Sequence, residues 1–276
     1  MSPASKKKTK FCTFSHLLEK ETGLFYPEYC ILLKTADSVN SLFDLYKTGR
    51  SGAKGGPSTH DQQDLYRAML VFACAGLDVF VKKMVTDKLP QLLSVDKEAE
   101  KKFGEFVQKD LKAEKITNVL ALALINPVPR NVFIAEYIKF LVGESLQSAE
   151  AIHSVLSNSG IEIGPTSPFN KPRMSKIKEA FIVRNEIIHE MDINIQDGAA
   201  RTTAYRTRRV RKAGAMEEHT QNILRLAEDI LKAYKEKFEK YKVGFKKEHL
   251  TTSGTSSTVS TSVKSKLTGR RSAGRG

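Results

Sequence analysis

The sequence contains no tryptophan and only three cysteines among its 276 residues. Cys12, Cys30 and Cys74 lie far apart, so they have neither the close pairing of a zinc site nor the even number of a disulfide framework. Isolated thiols are typical of reducing compartments. We therefore expect a cytoplasmic protein whose cysteines are buried and inert.

Long apolar runs are also missing. The longest, residues 68–81, contains Asp78, and its fourteen residues fall short of the roughly 20 that a membrane-spanning helix needs. The basic start of the chain is not followed by an apolar segment of signal-peptide length. We therefore expect a soluble protein with no membrane partner.

Two kinds of ligand site are not indicated. The glycine-rich segment 49–61 lacks the GK[ST] ending of a phosphate-binding loop. Histidines and carboxylates nowhere show the spacing of a metal site. We expect neither a metal nor another cofactor.

Helical spacing of apolar residues dominates the chain, and convincing alternating strands are missing. The spacing predicts helices over 27–49, 61–88, 131–156, from Pro172 through the motif described below, and 215–241. The predicted fold class is an all-α antiparallel bundle. It forms a single domain over residues 11–248, between a basic disordered segment 1–10 and a disordered, basic Ser/Thr-rich tail 249–276.

The formal net charge is +14, and part of it is concentrated. Residues 250–276 carry five cations and no acid, and a second acid-free stretch between Gly198 and Met216 is rich in arginine. Basic surfaces attract polyanions such as nucleic acid or anionic lipid. Charge that only aids solubility explains the composition equally well.

The segment FIVRNEIIHEMDI, residues 181–193, places polar groups inside an apolar helical pattern. Apolar residues recur at helical spacing at Met174, Ile177, Phe181, Ile188 and Met191, and position 184 falls on the same face. That position holds an arginine. Because a buried guanidinium without a partner is costly, this side chain must be paired or must face a surface that admits an anion.

Asn185 and His189 are four residues apart and lie on one face of the helix. Arg184 and His189 are five apart, which separates them by about 140° around an ideal helix. A two-fold axis would bring the pairs of two protomers to one shared cleft. A purely structural role is the alternative, because a lone histidine on a partly apolar helix usually has one.

Asp78 is the only charge in the fourteen residues 68–81 of the most apolar predicted helix. A buried carboxylate needs a cation or several hydrogen bonds. Either Arg184 or His189 provides the cation and Asp78 orients the site, or Asp78 meets a backbone amide or a lysine near a helix end. The sequence leaves both arrangements open.

The segment RNEIIHEMD (184–192) resembles the Arg-x(4–6)-His signature of HEPN domains, with the polar residue after the arginine that catalytic members favour. Residues 66–85 resemble the long helix that precedes this motif in members with an ALDxY-like stretch. The similarity is to the RiboL-PSP-type group and extends over roughly residues 30–242, with an insertion around 90–130.

This resemblance implies a helical bundle that forms a homodimer, with the motifs of both protomers lining a central cleft. It also implies a metal-independent endoribonuclease, often a toxin or an effector of antiviral defence with an antitoxin or defence-system partner protein. By position Arg184, His189 and Asn185 match the catalytic set. Asp78, Glu190 and Asp192 match only loosely, as supporting residues.

The residue types suit RNA cleavage independently of the resemblance. The 2′-hydroxyl is the nucleophile, so the enzyme needs only to transfer protons, as histidine does, and to stabilise the phosphate, as arginine does. Asn185 is suited to hold the imidazole or the phosphate. An RNA-binding track is predicted at Arg201, Tyr205, Arg206, Arg208, Arg209, Arg211 and Lys212, with Tyr205 stacking a base. A solvated loop is the alternative for this segment.

Two further readings stay open. A catalytically silent HEPN module would bind RNA, a nucleotide or a protein partner, because fold does not determine function. A basic protein could instead bind DNA or anionic membrane through residues 250–276, and deleting this tail would then abolish binding.

Overall fold

A computed structural model describes residues 11–12, 23–50, 58–112, 118–192 and 208–245. Within these ranges the chain forms eight α-helices and no β-strand, which confirms the all-α prediction. The helices are α1 Tyr26–Arg50, α2 His60–Val95, α3 Lys97–Leu111, α4 Asn118–Ile125, α5 Pro129–Val142, α6 Ala149–Asn158, α7 Lys171–His189 and α8 Ala213–Phe245. The predictions made for residues 1–10 and 249–276 lie outside the described ranges.

The compact unit formed by these helices ends at Tyr241. Its core is lined by apolar side chains from α1, α2, α6, α7 and α8. None of the described helices is both long enough and apolar enough to cross a membrane.

Helices α1 and α2 form an antiparallel hairpin. At one end the Gln62 side chain donates a hydrogen bond to the Gly49 carbonyl at 3.2 Å, and at the other Lys88 forms a buried ion pair with Glu28 at 3.0 Å. The helices approach most closely at Gly76, where a Cβ atom would overlap the Thr35 side chain. A glycine at this position therefore permits the close contact.

Helix α2 is the central element of the bundle and packs against α1, α3, α5 and α7. It begins at a capping box, in which the Thr59 side chain accepts from the Gln62 amide and the Gln62 side chain accepts from the Thr59 amide. It continues through Pro90 to Val95, beyond the predicted end at residue 88. Its length lets it support both ends of the molecule.

The single helix predicted over 131–156 is wrong, because the structure divides it into α5 and α6. Helix α5 ends before Gly143, and α6 begins after Ser148, whose side chain caps the amide of Ala151 at 3.0 Å. The connection between the helices brings the Leu146 amide to the Asp78 carboxylate at 2.7 Å. The amphipathic spacing continues across this break, which is why periodicity alone did not reveal it.

Helix α7 carries the motif and begins after Asn170, whose side chain accepts from the Arg173 amide at 3.1 Å. It packs against α2 and α6. Ion pairs from Arg173 to Asp229 and from Lys176 to Glu218 join it to α8. The N-terminal half of α7 is thus held on three sides.

Candidate functional site

The motif helix leaves the core at the position of Arg184. Met174, Ile177 and Phe181 are buried, whereas Ile188 is 37% exposed and Met191 57% exposed. Only the first half of the predicted apolar stripe is therefore covered by other elements. Arg184, which is partly buried, lies at the boundary between the covered and the open half.

The open half of α7 runs antiparallel to the first half of α2. Arg67 of α2 contacts Asp192 beyond the end of α7, and seven residues further along α2 the charge of Arg184 acts on the Cys74 thiol. Burial raises the pKa of Cys74 to about 12, with Arg184 opposing the shift. This thiol is buried and protonated, as expected from the sequence.

Apolar side chains are exposed at this level of both helices. Phe72 on α2 is 51% exposed and Ile182 on α7 is 49% exposed, although both helices belong to the core. Ile188 and Met191, on either side of the end of α7, are also exposed. Exposed apolar side chains that collect in one region typically mark an interaction surface.

The Arg184 guanidinium has few partners. Its Nη1 donates to Asn185 Oδ1 at 2.9 Å, while its Nε is buried and has no hydrogen-bond partner. No carboxylate of the described residues forms an ion pair with it. Donors therefore remain for an external anion, and Asn185 holds the guanidinium from the exposed side.

His189 is the last residue of α7 and is exposed. Five residues of an ideal helix separate it from Arg184 by about 7.5 Å along the axis and about 140° around it. Within the described part of the chain no hydrogen bond joins it to Arg184 or Asn185. One protomer thus brings Arg184 and Asn185 together but leaves His189 apart from them.

Asp78 does not pair with Arg184 or His189. It accepts from the Leu146 amide at 2.7 Å and forms an ion pair with Lys82, one turn further along α2, at 3.0 Å. The backbone-amide and lysine arrangement is therefore the one observed. Asp78 fastens the α5–α6 connection to α2 rather than orienting the motif.

Asp192 is fully buried and lies in a network of arginines. Its carboxylate accepts from Arg67 Nε at 2.8 Å and from Arg211 Nη2 at 2.6 Å, and its carbonyl accepts from the Arg209 amide at 2.7 Å. The end of α7 is thereby joined both to α2 and to the segment that precedes α8.

Further ion pairs extend this network, and we call the whole network the arginine–carboxylate cluster. Glu186 accepts from Arg211 Nη2 at 2.6 Å and pairs with Arg209, which also reaches Glu190 at 3.4 Å. Asp64 accepts from Arg67 Nη1 at 3.0 Å and pairs with Arg208. The members are Arg67, Arg208, Arg209, Arg211, Asp64, Glu186, Glu190 and Asp192.

The cluster changes the interpretation of the predicted RNA track. Arg208, Arg209 and Arg211 are engaged by carboxylates of their own chain rather than free along a loop. Lys212 is exposed directly before α8. Arg201, Tyr205 and Arg206 lie outside the described residues.

The carboxylates of Asp192 and Glu186 are ionised. Burial alone would raise the pKa of Asp192, but hydrogen bonds from Arg211 and Arg67 outweigh it and hold that pKa below its ordinary value. Burial would likewise raise the pKa of Glu186, but hydrogen bonds from Arg211 and Arg209 outweigh it and lower that pKa. The ion pairs therefore persist at neutral pH.

Sequence reasoning missed Arg67, Asp64 and Glu186. Arg67 did carry a signal, because it lies three, seven and ten residues before the buried Leu70, Cys74 and Leu77 on the core face of α2. The same argument that singled out Arg184 applies to it. Asp64 and Glu186 gave no such signal, because charges at the edges of amphipathic helices are common.

No group of three or more His, Cys, Asp or Glu side chains in the described ranges could hold a metal ion. Comparisons with protein-family models, curated proteins and solved structures found no match. The resemblance to HEPN domains therefore stays a prediction that rests on the two segments quoted for it.

Proposed function

We propose that the chain is a metal-independent endoribonuclease of the HEPN kind, and that Arg184, His189 and Asn185 carry the reaction. The observation that supports this most strongly is the contrast between Arg184 and its neighbours. Every arginine of the arginine–carboxylate cluster is paired with a carboxylate, whereas no carboxylate of the described residues pairs with Arg184, whose Nε is buried without a hydrogen-bond partner. A phosphate would supply the missing acceptor.

The proposed reaction uses the nucleophile that RNA carries. The 2′-oxygen forms a bond to phosphorus and its proton passes to a histidine, while the bond from phosphorus to the 5′-oxygen breaks and that oxygen receives a proton. The Arg184 guanidinium stabilises the charge that develops on the non-bridging oxygens. The products are a 2′,3′-cyclic phosphate and a 5′-hydroxyl.

A homodimer is part of this proposal, because base and acid must stand on opposite sides of the phosphate. Arg184 and His189 diverge on one helix, and a two-fold partner would supply a second histidine to the same cleft. The exposed Ile188, four residues beyond Arg184 on the same side of α7, supports a second copy as the cover of this face. One His189 then acts as base and the other as acid.

The biological setting follows from the resemblance alone. A toxin or an antiviral-defence effector acting in the cytoplasm would need a partner protein, an antitoxin or a defence-system component, that restrains or activates it. Low activity of the purified protein would then mean that this partner is needed, which an assay in cells can detect.

A second candidate is a catalytically silent HEPN module that binds RNA, a nucleotide or a protein partner. The exposed position of His189, without a hydrogen bond to Arg184 or Asn185, favours it. Such a module would use the same guanidinium, which has no carboxylate partner among the described residues, for an anion and would not need the imidazole.

Purified wild type, Arg184→Ala and His189→Ala should be incubated with total cellular RNA in the presence of a metal chelator. We expect cleavage by the wild type, with a loss of about a hundredfold or more in both variants. Arg225→Ala and His153→Ala are matched controls, since both residues are exposed on other helices.

The same set should be expressed in cells, where growth and RNA integrity are measured together. RNA cleavage and toxicity in the wild type and both controls, absent from the two motif variants, would support the ribonuclease. If none of the chains cleaves RNA in either setting but only Arg184→Ala loses RNA binding, the silent module is correct.

A further inference from the structure

The turn that follows α7 has an unusual backbone. Met191 has φ 51° and Asp192 has φ 56°, so two consecutive residues other than glycine lie in the left-handed region. L side chains rarely adopt this conformation, and it persists only where surrounding contacts compensate it. The turn begins two residues after His189, and the Asp192 amide returns to the Glu186 carbonyl at 3.0 Å.

The compensating contacts come from Arg211, which donates to the Asp192 carboxylate at 2.6 Å, and from Arg67. This side chain is 5% exposed, and all three of its nitrogens are used. They donate to the Asp192 carboxylate at 2.8 Å, to Asp64 at 3.0 Å and to the Arg209 carbonyl at 2.8 Å. Because Arg67 belongs to the central helix, it joins the turn to the element that packs against α1, α3, α5 and α7.

Arg184 does not depend on this turn. It lies about one helical turn beyond the buried Phe181, at the boundary between the open half of α7 and the half that α2, α6 and α8 hold. His189 has no comparable support, because Ile188 beside it is exposed and the helix ends at His189 itself. The position of the imidazole relative to the guanidinium is therefore set by what holds the end of the helix.

We infer that Asp192, through its pair with Arg67, is a positioning residue that sets the His189 imidazole relative to Arg184. The catalytic consequence rests on the proposed ribonuclease function, whereas the conformational consequence does not. Asp192 reaches no substrate, because it is fully buried. It acts by keeping the left-handed turn closed.

Steady-state cleavage by Asp192→Asn tests the catalytic part. Asparagine keeps the size of the side chain and tolerates the left-handed region, so the substitution removes the charge and one of the two acceptor oxygens without changing the shape. We expect kcat to fall about tenfold or more, while KM changes less than about twofold because Arg184 stays in place. Asp87→Asn is the control, since Asp87 pairs with Lys83 on the outer surface of α2.

A second substitution separates positioning from a general loss of structure. Met191→Gly supplies a residue that adopts positive φ without steric cost. Introduced into Asp192→Asn, it should restore most of the lost kcat, because the turn then closes without the carboxylate. A double variant no more active than Asp192→Asn would overturn the proposal.

Amide hydrogen exchange provides a readout that does not depend on catalysis. In Asp192→Asn, we expect exchange to accelerate more at residues 187–192 than at Ile177 and Phe181, where only the lower global stability acts. Equal acceleration along all of α2 and α7 would mean a merely structural role and would refute the inference. If the wild type cleaves no RNA either when purified or in cells, the ribonuclease proposal fails by itself, and the exchange pattern still decides the role of Asp192.

Discussion

Arg184 and Arg67 are both arginines set into the apolar face of a core helix, and they differ in what they meet. Arg67 finds carboxylates on two elements, whereas Arg184 finds only the neighbouring Asn185. The sequence predicts that such residues need a partner, and this holds for Arg67. It does not reveal which partner, because Asp192 and Arg67 are 125 positions apart. Asp78 illustrates the same limit, since its partner is a backbone amide that no residue type announces.

Two glycines offer a prediction at the scale of single residues. A Cβ at Gly76 would overlap Thr35, whereas a Cβ at Gly104 in α3 would meet nothing within 4 Å. We expect Gly76→Ala to destabilise the fold by about 1–3 kcal/mol through overpacking. Gly104→Ala should stabilise it by about 0.4–1 kcal/mol through the entropy of the unfolded chain.

Urea denaturation of both alanine variants and the wild type measures these differences. Adding Thr35→Ala to Gly76→Ala should recover part of the loss, because it removes the overlapping atoms. Equal stabilities for Gly76→Ala and Gly104→Ala would mean that α1 and α2 do not approach as closely as described.

At the scale of elements, periodicity predicts helices well where a whole face is buried. The predicted ranges 27–49 and 215–241 lie within α1 and α8. The error over 131–156 arose because apolar spacing continues through Gly143 while the chain turns to deliver Leu146 to Asp78. Helix α2 passes Pro90 because a proline near the end of a helix removes only one hydrogen bond from its last turns. Tertiary contacts therefore decided the boundaries that spacing could not.

The attachment of α7 to α2 should depend on pH. The folded-state pKa of Asp192 lies below its ordinary value of 3.8. Its contribution to stability is therefore complete above that value and is lost as pH falls through the lower, folded-state pKa. Removing one partner of a buried ion pair costs about 3–5 kcal/mol, so Asp192→Asn should be less stable than the wild type by this amount at pH 7.

Chemical denaturation at a series of pH values between 7 and 3 tests this dependence. We expect the difference in unfolding free energy between Asp192→Asn and the wild type to stay constant down to about pH 4 and to become smaller below it. Asp87→Asn, which removes a more exposed carboxylate, should show a much smaller difference at pH 7. A difference for Asp192→Asn that is already absent at neutral pH would show that the buried pair contributes nothing to folding.

At the scale of the whole molecule, the net charge of +14 overstates what is free to bind RNA around the motif. The arginine–carboxylate cluster contains four arginines and four carboxylates and is neutral as a unit. The net charge includes the four arginines of this cluster, although their own carboxylates already occupy them. Among the described arginines around the motif, Arg184 stands out because no carboxylate compensates it, and this is the part of the site that the sequence did single out.

The proposed dimer leads to a prediction about mixed protomers. If one cleft needs His189 from both chains, a dimer with a single intact protomer is inactive. Equal amounts of wild type and His189→Ala, allowed to exchange subunits at random, leave about one quarter of the molecules as wild-type dimers. We therefore expect about one quarter of the activity of the same total amount of wild type, whereas protomers that act independently would retain about one half.

Cleavage assays on the exchanged mixture distinguish these values, and mixing with His153→Ala, which should leave activity unchanged, controls for exchange itself. A monomeric wild type in light scattering, together with one-half activity in the mixture, would exclude a shared cleft and assign both proton transfers to a single chain.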